Sequence, residues 1–459
     1  MEINRRIDAR RDELVQAVQE LVRIKSVQDE PQAGMPFGPG VAKSLDKALD
    51  IAGQLGFETV NLDGYIGYAE YGTGDDYIAV LGHLDVVPEG DGWLHPPYGA
   101  EIHEGKIYGR GTMDDKAPIL AALFGLKALK DLNLPLTKKV RVIFGTNEES
   151  GCKEMEYYSE REKEPVGGFT PDAEYPIIYA EKGITIFDVV KKLESGGSIT
   201  YIRGGQRANV VPDYCEAGLA VKDVEWLLKA AQQFASETGC DLKAEKQGDT
   251  VVIKSRGVAA HGSLPQLGKN AIMQMFQFLG TLPFGSPELT EFISFFNRNV
   301  GFETDGHSFG VGLEDRESGK LSFNVGTISM REDEVRMSLN LRYPVTFKYD
   351  DMMTPFQARL AGTGIEIENM MHQPPLFFPE DHPLIKSLQK VYTEQTGREA
   401  KLLAIGGGTY AKEMPNIVAF GPILPGEPDL DHQANEYIKI EDLIQNAKIY
   451  AHAIYELAK

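Results

Sequence analysis

Apolar positions recur at helical spacing near the start of the chain. Leu14, Val18, Leu21 and Val22 share one face and predict a long helix over 7–24. A Pro/Gly-rich loop over 31–40 follows, then a second amphipathic helix over 43–55. Short apolar runs come next. YIAVL, at 77–81, ends on Gly-His, and VRVIF, at 140–144, ends on Gly-Thr-Asn-Glu-Glu. Between them, 117–129 has the length and apolarity of a buried helix, and 176–179 predicts a further strand near Asp172. Strands alternating with helices of this length predict an α/β fold with a mostly parallel, mixed sheet flanked by helices. In such sheets ligands sit beyond the carboxyl ends of the strands.

The texture changes after Gly183. Strands are predicted over 184–193 and 213–221, a helix over 223–238, and strands over 242–245 and 251–254. A similar order returns: strands at 321–330 and 335–343, a helix at 350–361, a strand at 365–368. The helix predicted over 383–396 and the strand at 417–420 resume the α/β texture. The pattern predicts a split first domain, 1–182 and 373–459, around an inserted α+β lid, 183–372, made of two similar halves.

Composition narrows the chemistry. The 459 residues carry a net charge of −21 and nine histidines. That balance argues against a nucleic-acid partner and a polybasic membrane anchor. Three scattered cysteines signal neither a disulfide framework nor a thiolate zinc site. The charged N-terminus lacks the apolar stretch of a signal peptide, and no apolar run reaches membrane-spanning length. A cytoplasmic location is the expectation.

Several polar clusters end predicted strands or occupy turns. His83 and Asp85 sit at i and i+2, which on an extended chain places both on one side. Asp114 and Asp115 follow Tyr108-Gly109-Arg110-Gly111. Glu148 and Glu149 follow the strand at 140–144, Asp172 lies in Pro-Asp-Ala, and His432 in Asp-Leu-Asp-His. Adjacent glutamates on extended backbone point apart, so one can bind metal while the other holds a water. Each cluster alone reads as solvated surface. Together, two imidazoles and several carboxylates make a donor set for two cations, better suited to Zn²⁺, Mn²⁺ or Co²⁺ than to Ca²⁺.

The motifs GHLDVVPEGDGW, YGRGTMDDK, GTNEESG, FTPDAEYP and DLDHQANE resemble, in order and spacing, the co-catalytic di-metal peptidase clan. That clan includes carnosinase, carboxypeptidase G and succinyl-diaminopimelate desuccinylase. The resemblance is nearest to its dipeptidase V, or Xaa-His dipeptidase, branch. It implies a metallopeptidase cleaving dipeptides with a free N-terminus, with two divalent cations per subunit, Zn²⁺ foremost. His83 and Asp172 would hold one ion, Glu149 and His432 the other, and Asp114 both. Asp85 would orient His83, and Glu148 would be the general base acting on a water held between the ions. A cis peptide is implied at Asp114-Asp115. From the lid, Asn209 and His261 would face the substrate, and Arg342 would take its C-terminal carboxylate beside backbone N–H groups of Gly407 and Gly408. Ala117 departs from the Gly common in this branch. A lid long enough for two halves implies a monomer. An N-acyl-amino-acid deacylase using the same site is the alternative, and a non-catalytic metal-binding protein a remote one.

Other candidates are expected to be ordinary structure. His95, His103, His307, His372, His382 and His452 read as surface or structural groups, and Glu89, Asp91 and Asp115 as solvated loop. Gly72-Thr73-Gly74 reads as a turn, and the Met370-Met371 and Phe295-Phe296 pairs as core.

Overall fold

Strand Tyr77–His83 is buried at every position, as expected for a parallel strand covered on both faces. In the computed structural model, which describes residues 2–194, 197–331 and 333–459, it forms the middle of the first sheet. Lys139–Gly145 and Gly167–Thr170 flank it, both parallel, and Ile417–Ala419 extends the parallel set. Ile66–Tyr71 and Glu58–Leu62 continue one side antiparallel, and Ile177–Glu181 joins Ile417–Ala419 antiparallel on the other. The sheet is therefore mixed around a parallel centre.

Helix Lys116–Asp131 starts directly after the Asp114-Asp115 pair and is buried along most of its length. It packs against the C-terminal helix Ile440–Ala458. Gly125 permits that contact: a Cβ there would lie 3.0 Å from both the Ala447 carbonyl oxygen and the Ala451 nitrogen. Ala117 lies within the first turn of Lys116–Asp131, where alanine fits without strain.

The N-terminal helix departs from expectation. It is broken into Glu2–Asp8 and Arg11–Val22. No glycine or proline marks the break. Instead Arg10 turns its guanidinium to Asp131, with bonds of 2.7 and 3.0 Å. The second helix begins earlier than its periodicity suggests, at Pro39, because proline is well suited to the first helical position.

The chain separates into two compact units. One runs up to Tyr179 and resumes over Phe378–Leu403 and Thr409–Lys459. The other comprises Ala180–Phe377 and Ala404–Gly408. The second unit is built on a continuous eight-stranded sheet. Its order is Asp241–Gln247, Thr250–Arg256, Tyr214–Leu219, Ile199–Gly204, Ser322–Met330, Glu334–Tyr343, Gly183–Lys192, Ile365–Gln373. Every neighbouring pair is antiparallel. The first four strands are contiguous in sequence, whereas the other four include Gly183–Lys192 from ahead of them. Phe276, Phe292, Phe296 and Phe356, from helices Ala271–Leu279, Pro287–Asn299 and Tyr349–Leu360, belong to its core.

Phe295 and Phe296 are core, as expected, but Met370 and Met371 are 40% and 47% exposed. They lie on the last strand of the sheet, where an edge leaves side chains uncovered. Gly72 and Gly74 have φ of 109° and 108°, as a turn requires. Among the described residues, no helix is long and apolar enough to cross a membrane.

Gly125→Ala is expected to wedge the two helices apart, because the atoms it meets are backbone and cannot swing away. A destabilisation of about 1–3 kcal/mol should appear as a lowered thermal unfolding midpoint. An unchanged midpoint would show slack at this crossing.

Candidate metal centre

Three adjacent parallel strands deliver the acidic groups. His83 ends Tyr77–His83, Glu148 and Glu149 lie in the turn after Lys139–Gly145, and Asp172 follows Gly167–Thr170. The glutamates are not on extended backbone, as their sequence suggested. They open a short 3₁₀ turn, Glu148–Ser150. The carboxylate of Asp85 caps that turn, accepting the backbone N–H groups of Glu148 at 3.2 Å and Glu149 at 3.1 Å.

The first unit brings the predicted metal-ligating residues together in two overlapping groups. His83, Asp114 and Asp172 form one, and Asp114, Glu149 and His432 the other, with donor atoms in each group within 4.8 Å of one another. Asp114 is common to both. Its Oδ1 lies 2.8 Å from His83 Nε2 and its Oδ2 3.2 Å from His432 Nε2. Asp172 Oδ2 is 3.9 Å from His83 Nε2, and Glu149 Oε2 is 3.0 Å from His432 Nε2. Glu148 also groups with His83 and Glu149. The peptide bond at Asp114-Asp115 is cis.

His83 is fully buried, and its Nδ1 lies 3.0 Å from the carbonyl oxygen of Asp85, nearer than the Asp85 carboxylate at 3.4 Å. An imidazole that donates from Nδ1 offers its Nε2 lone pair to a cation. Tyr410 stands edge-on to the His83 ring, at 6.0 Å between centroids. Its own hydroxyl donates to the buried Glu154. Gly145 leaves room for it, since a Cβ there would fall 2.0 Å from the Tyr410 hydroxyl.

Electrostatics test whether divalent cations suit this donor set. Burial, then the charge of Asp114, raises Asp172 to about 7 and pushes Glu149 upward. Burial drives Glu148 well above the carboxylate range. Burial and Asp114 raise Asp431 to about 9. Burial opposes charge on Asp114 too, yet His83 and His432 hold it well below its ordinary value. Hydrogen bonds to Asp114 and Glu149 lift His432 to about 11. The anions exceed what two imidazoles balance. Divalent cations fit, and the nitrogen–oxygen mixture suits the zinc and manganese class.

Several supporting residues carry no clear signal in the sequence. Glu436 is fully buried and accepts backbone N–H groups from Gly111 (3.0 Å), Met113 (2.8 Å) and Asp114 (3.3 Å). It also pairs with Arg110 Nη1 at 2.7 Å. Its one sequence clue is its place at the end of the DLDHQANE motif. Asp115, expected in a solvated loop, is fully buried and accepts the His83 backbone N–H at 3.1 Å. Gly82 makes this possible, because a Cβ there would meet Asp115 Oδ2 at 2.2 Å. Lys116 is buried as well, its Nζ 2.7 Å from the Ile24 carbonyl oxygen, and burial lowers it to about 7. Glu89 pairs with Lys25 at 2.7 Å and Asp91 is exposed.

The remaining predicted residues belong to the second unit. Val210–Val211, next to Asn209, pairs with Ala260–His261, and the Gly262 N–H donates to the Asn209 carbonyl oxygen at 2.7 Å. His261 Nδ1 is 2.6 Å from Ser263 Oγ. Burial and the nearby charge of Arg342 lower the pKa of His261. Arg342 is 4% exposed and donates to Asn340 Oδ1 at 2.9 Å and the Gly406 carbonyl oxygen at 2.6 Å. Both acceptors are neutral. Gly407 and Gly408 follow directly in that loop.

The described structural histidines have partners of their own. His372 Nε2 is 2.8 Å from the Tyr343 hydroxyl, His382 caps helix Pro383–Thr396, and His452 Nε2 is 2.9 Å from Asn4 Oδ1.

Comparison with known proteins gives this arrangement a lineage. The profile of peptidase family M20/M25/M40 matches residues 79–456. A Bacillus subtilis protein named "Putative dipeptidase YtjP" is 40% identical over 98% of this chain and 98% of its own. Human carnosine dipeptidase 1 shares the fold, with TM-score 0.60, 17% identity and coverage of 99% of this chain and 98% of that one. The aminoacylhistidine dipeptidase of Vibrio alginolyticus does so with TM-score 0.60, 13% identity and coverage of 97% and 96%. The chain belongs to peptidase family M20/M25/M40 and is a hydrolase of that family.

Glu436→Gln keeps an acceptor for the backbone but leaves the buried Arg110 without a counter-charge. It is expected to destabilise the fold by about 3–5 kcal/mol, read from urea unfolding. A loss below about 1 kcal/mol would show that the pair does not hold this loop.

Proposed function

We propose that the protein is a metal-dependent dipeptidase acting on short peptides with a free N-terminus. The observation that carries this reading is Asp114, shared by two groups of nitrogen and oxygen donors. His83, Asp114 and Asp172 would hold one divalent cation, and Asp114, Glu149 and His432 a second. Zn²⁺ suits the donors best, with Mn²⁺ or Co²⁺ as chemically similar occupants. Bound there, such ions supply Lewis acidity and lower the pKa of water.

The chain's own residues supply the proton transfers and the grip. Glu148 belongs to the same cluster but to neither Asp114-sharing group, so its carboxylate is the one left to act as base. It takes a proton from the attacking water and returns it to the leaving amine. Asp85 orients the pair by holding the backbone of the Glu148–Ser150 turn and the His83 ring. Asn209 and His261 are the proposed donors to the developing oxyanion.

Arg342 is the proposed group for the substrate's C-terminal carboxylate. Its guanidinium is buried against neutral acceptors, and burial lowers it to about 10. A buried cation of this kind is completed by an anionic ligand, which a guanidinium fork can bind at two points. The Gly407 and Gly408 N–H groups would assist. The eight-stranded sheet carried within one chain supports a monomer. The 40% identical relative named as a dipeptidase supports the substrate class.

Two measurements test the reading. Chelation should abolish hydrolysis of a dipeptide panel, and adding back Zn²⁺, Mn²⁺ or Co²⁺ should restore it. Glu148→Gln should then lower kcat by about 10²–10⁴-fold with metal content unchanged. Preferential hydrolysis of N-acetyl or N-succinyl amino acids would overturn the dipeptidase assignment in favour of a deacylase.

Arg342→Met is expected to raise KM for free dipeptides roughly 10–100-fold while leaving dipeptide amides unaffected. An equal effect on both would remove Arg342 from carboxylate recognition.

A further inference from the structure

A second nitrogen–oxygen cluster lies on the first unit, apart from the donors described above. His95, Glu101 and His103 each offer one donor atom, and these atoms lie within 4.8 Å of one another. His103 Nε2 is 2.8 Å from Glu101 Oε2, and His95 Nδ1 is 3.5 Å from the same oxygen. The two imidazole rings stack at 4.2 Å, and Tyr108 packs on the His95 ring at 4.3 Å.

The backbone builds this arrangement. Glu101–His103 and Lys106–Tyr108 form a hairpin in the register Glu101↔Tyr108 and His103↔Lys106. Glu101 and His103, two residues apart on a strand, project to one side. His95 arrives from the preceding loop, which is tied down by the Arg110 N–H on the Pro97 carbonyl oxygen at 2.8 Å. The nearest hairpin cation, Lys106, is drawn onto the Tyr437 ring at 4.2 Å. The cluster is partly open to solvent, with side chains 26%, 43% and 45% exposed.

We propose that His95, Glu101 and His103 form an auxiliary zinc site that joins the His95 loop to the hairpin. Two imidazoles and one carboxylate are the donor chemistry of zinc rather than of magnesium or calcium. Exposure leaves the fourth position to water. The site takes no part in the reaction. It cross-links the segment that leads into Gly109 and Asp114, and the same hairpin pairs with Tyr437–Lys439, just after Glu436.

The test is zinc content per chain. The full-length wild type, the double variant His95→Asn/His103→Gln and Glu101→Gln are equilibrated in a zinc buffer of low-micromolar free ion, then analysed for bound metal. The wild type should hold one zinc ion per chain more than the double variant, with Glu101→Gln intermediate. The double variant should hydrolyse dipeptides at the wild-type rate. Equal zinc in all three proteins would reduce the cluster to a hydrogen-bonded surface patch and overturn the proposal. Loss of zinc together with loss of hydrolysis would place the missing ion elsewhere and also overturn it.

Discussion

Repulsion among buried carboxylates is the constraint on which this structure turns. Asp114, Glu148, Glu149 and Asp172 converge at the carboxyl ends of neighbouring parallel strands. At low effective dielectric, like charges so close oppose one another by several kcal/mol. The fold does not relieve this by spacing them apart. It sets the imidazoles of His83 and His432 among them, while backbone N–H groups hold the neighbouring carboxylates of Asp85 and Glu436. The negative charge that remains is what makes the site a receptor for cations.

The second unit shows the opposite imbalance. Arg342 is a buried positive charge held by neutral oxygens, beside a histidine whose pKa burial and the Arg342 charge both lower. The cluster in the first unit is rich in anions, whereas Arg342 in the second is a buried cation. In the proposed function, metal ions answer the first imbalance and a substrate carboxylate the second. The proposed substrate class follows from charge balance as much as from kinship.

The sequence disclosed the sheet and most of the donor set because both leave local marks. Strand Tyr77–His83 and helix Lys116–Asp131 are largely apolar runs; His83 ends the strand, and Asp114, Glu149 and Asp172 lie in or beside the turns next to regular elements. What stayed hidden depends on contacts far apart in sequence. Asp115 looks like half of a solvated Asp-Asp pair, and only the space left by Gly82 makes it a buried acceptor. Glu436 looks like one acid among many. The break before Arg11–Val22 falls where Arg10 bonds Asp131, far along the chain. Helix Ala271–Leu279 is apolar at most positions, and Gln274 and Gln277 are its only polar markers. Helix Pro287–Asn299 has a readable start, Ser286 before Pro287.

The grip of Glu436 on the Asp114 loop spans 322 residues. His432, the partner of both Asp114 and Glu149, lies just as late in the chain. Residues as late as Glu436 must therefore be synthesised before the candidate centre can take shape. A fragment that stops before His432 lacks both the late imidazole and the carboxylate that holds the Asp114 loop. The second unit precedes both residues in sequence, so it is synthesised before the candidate centre is complete.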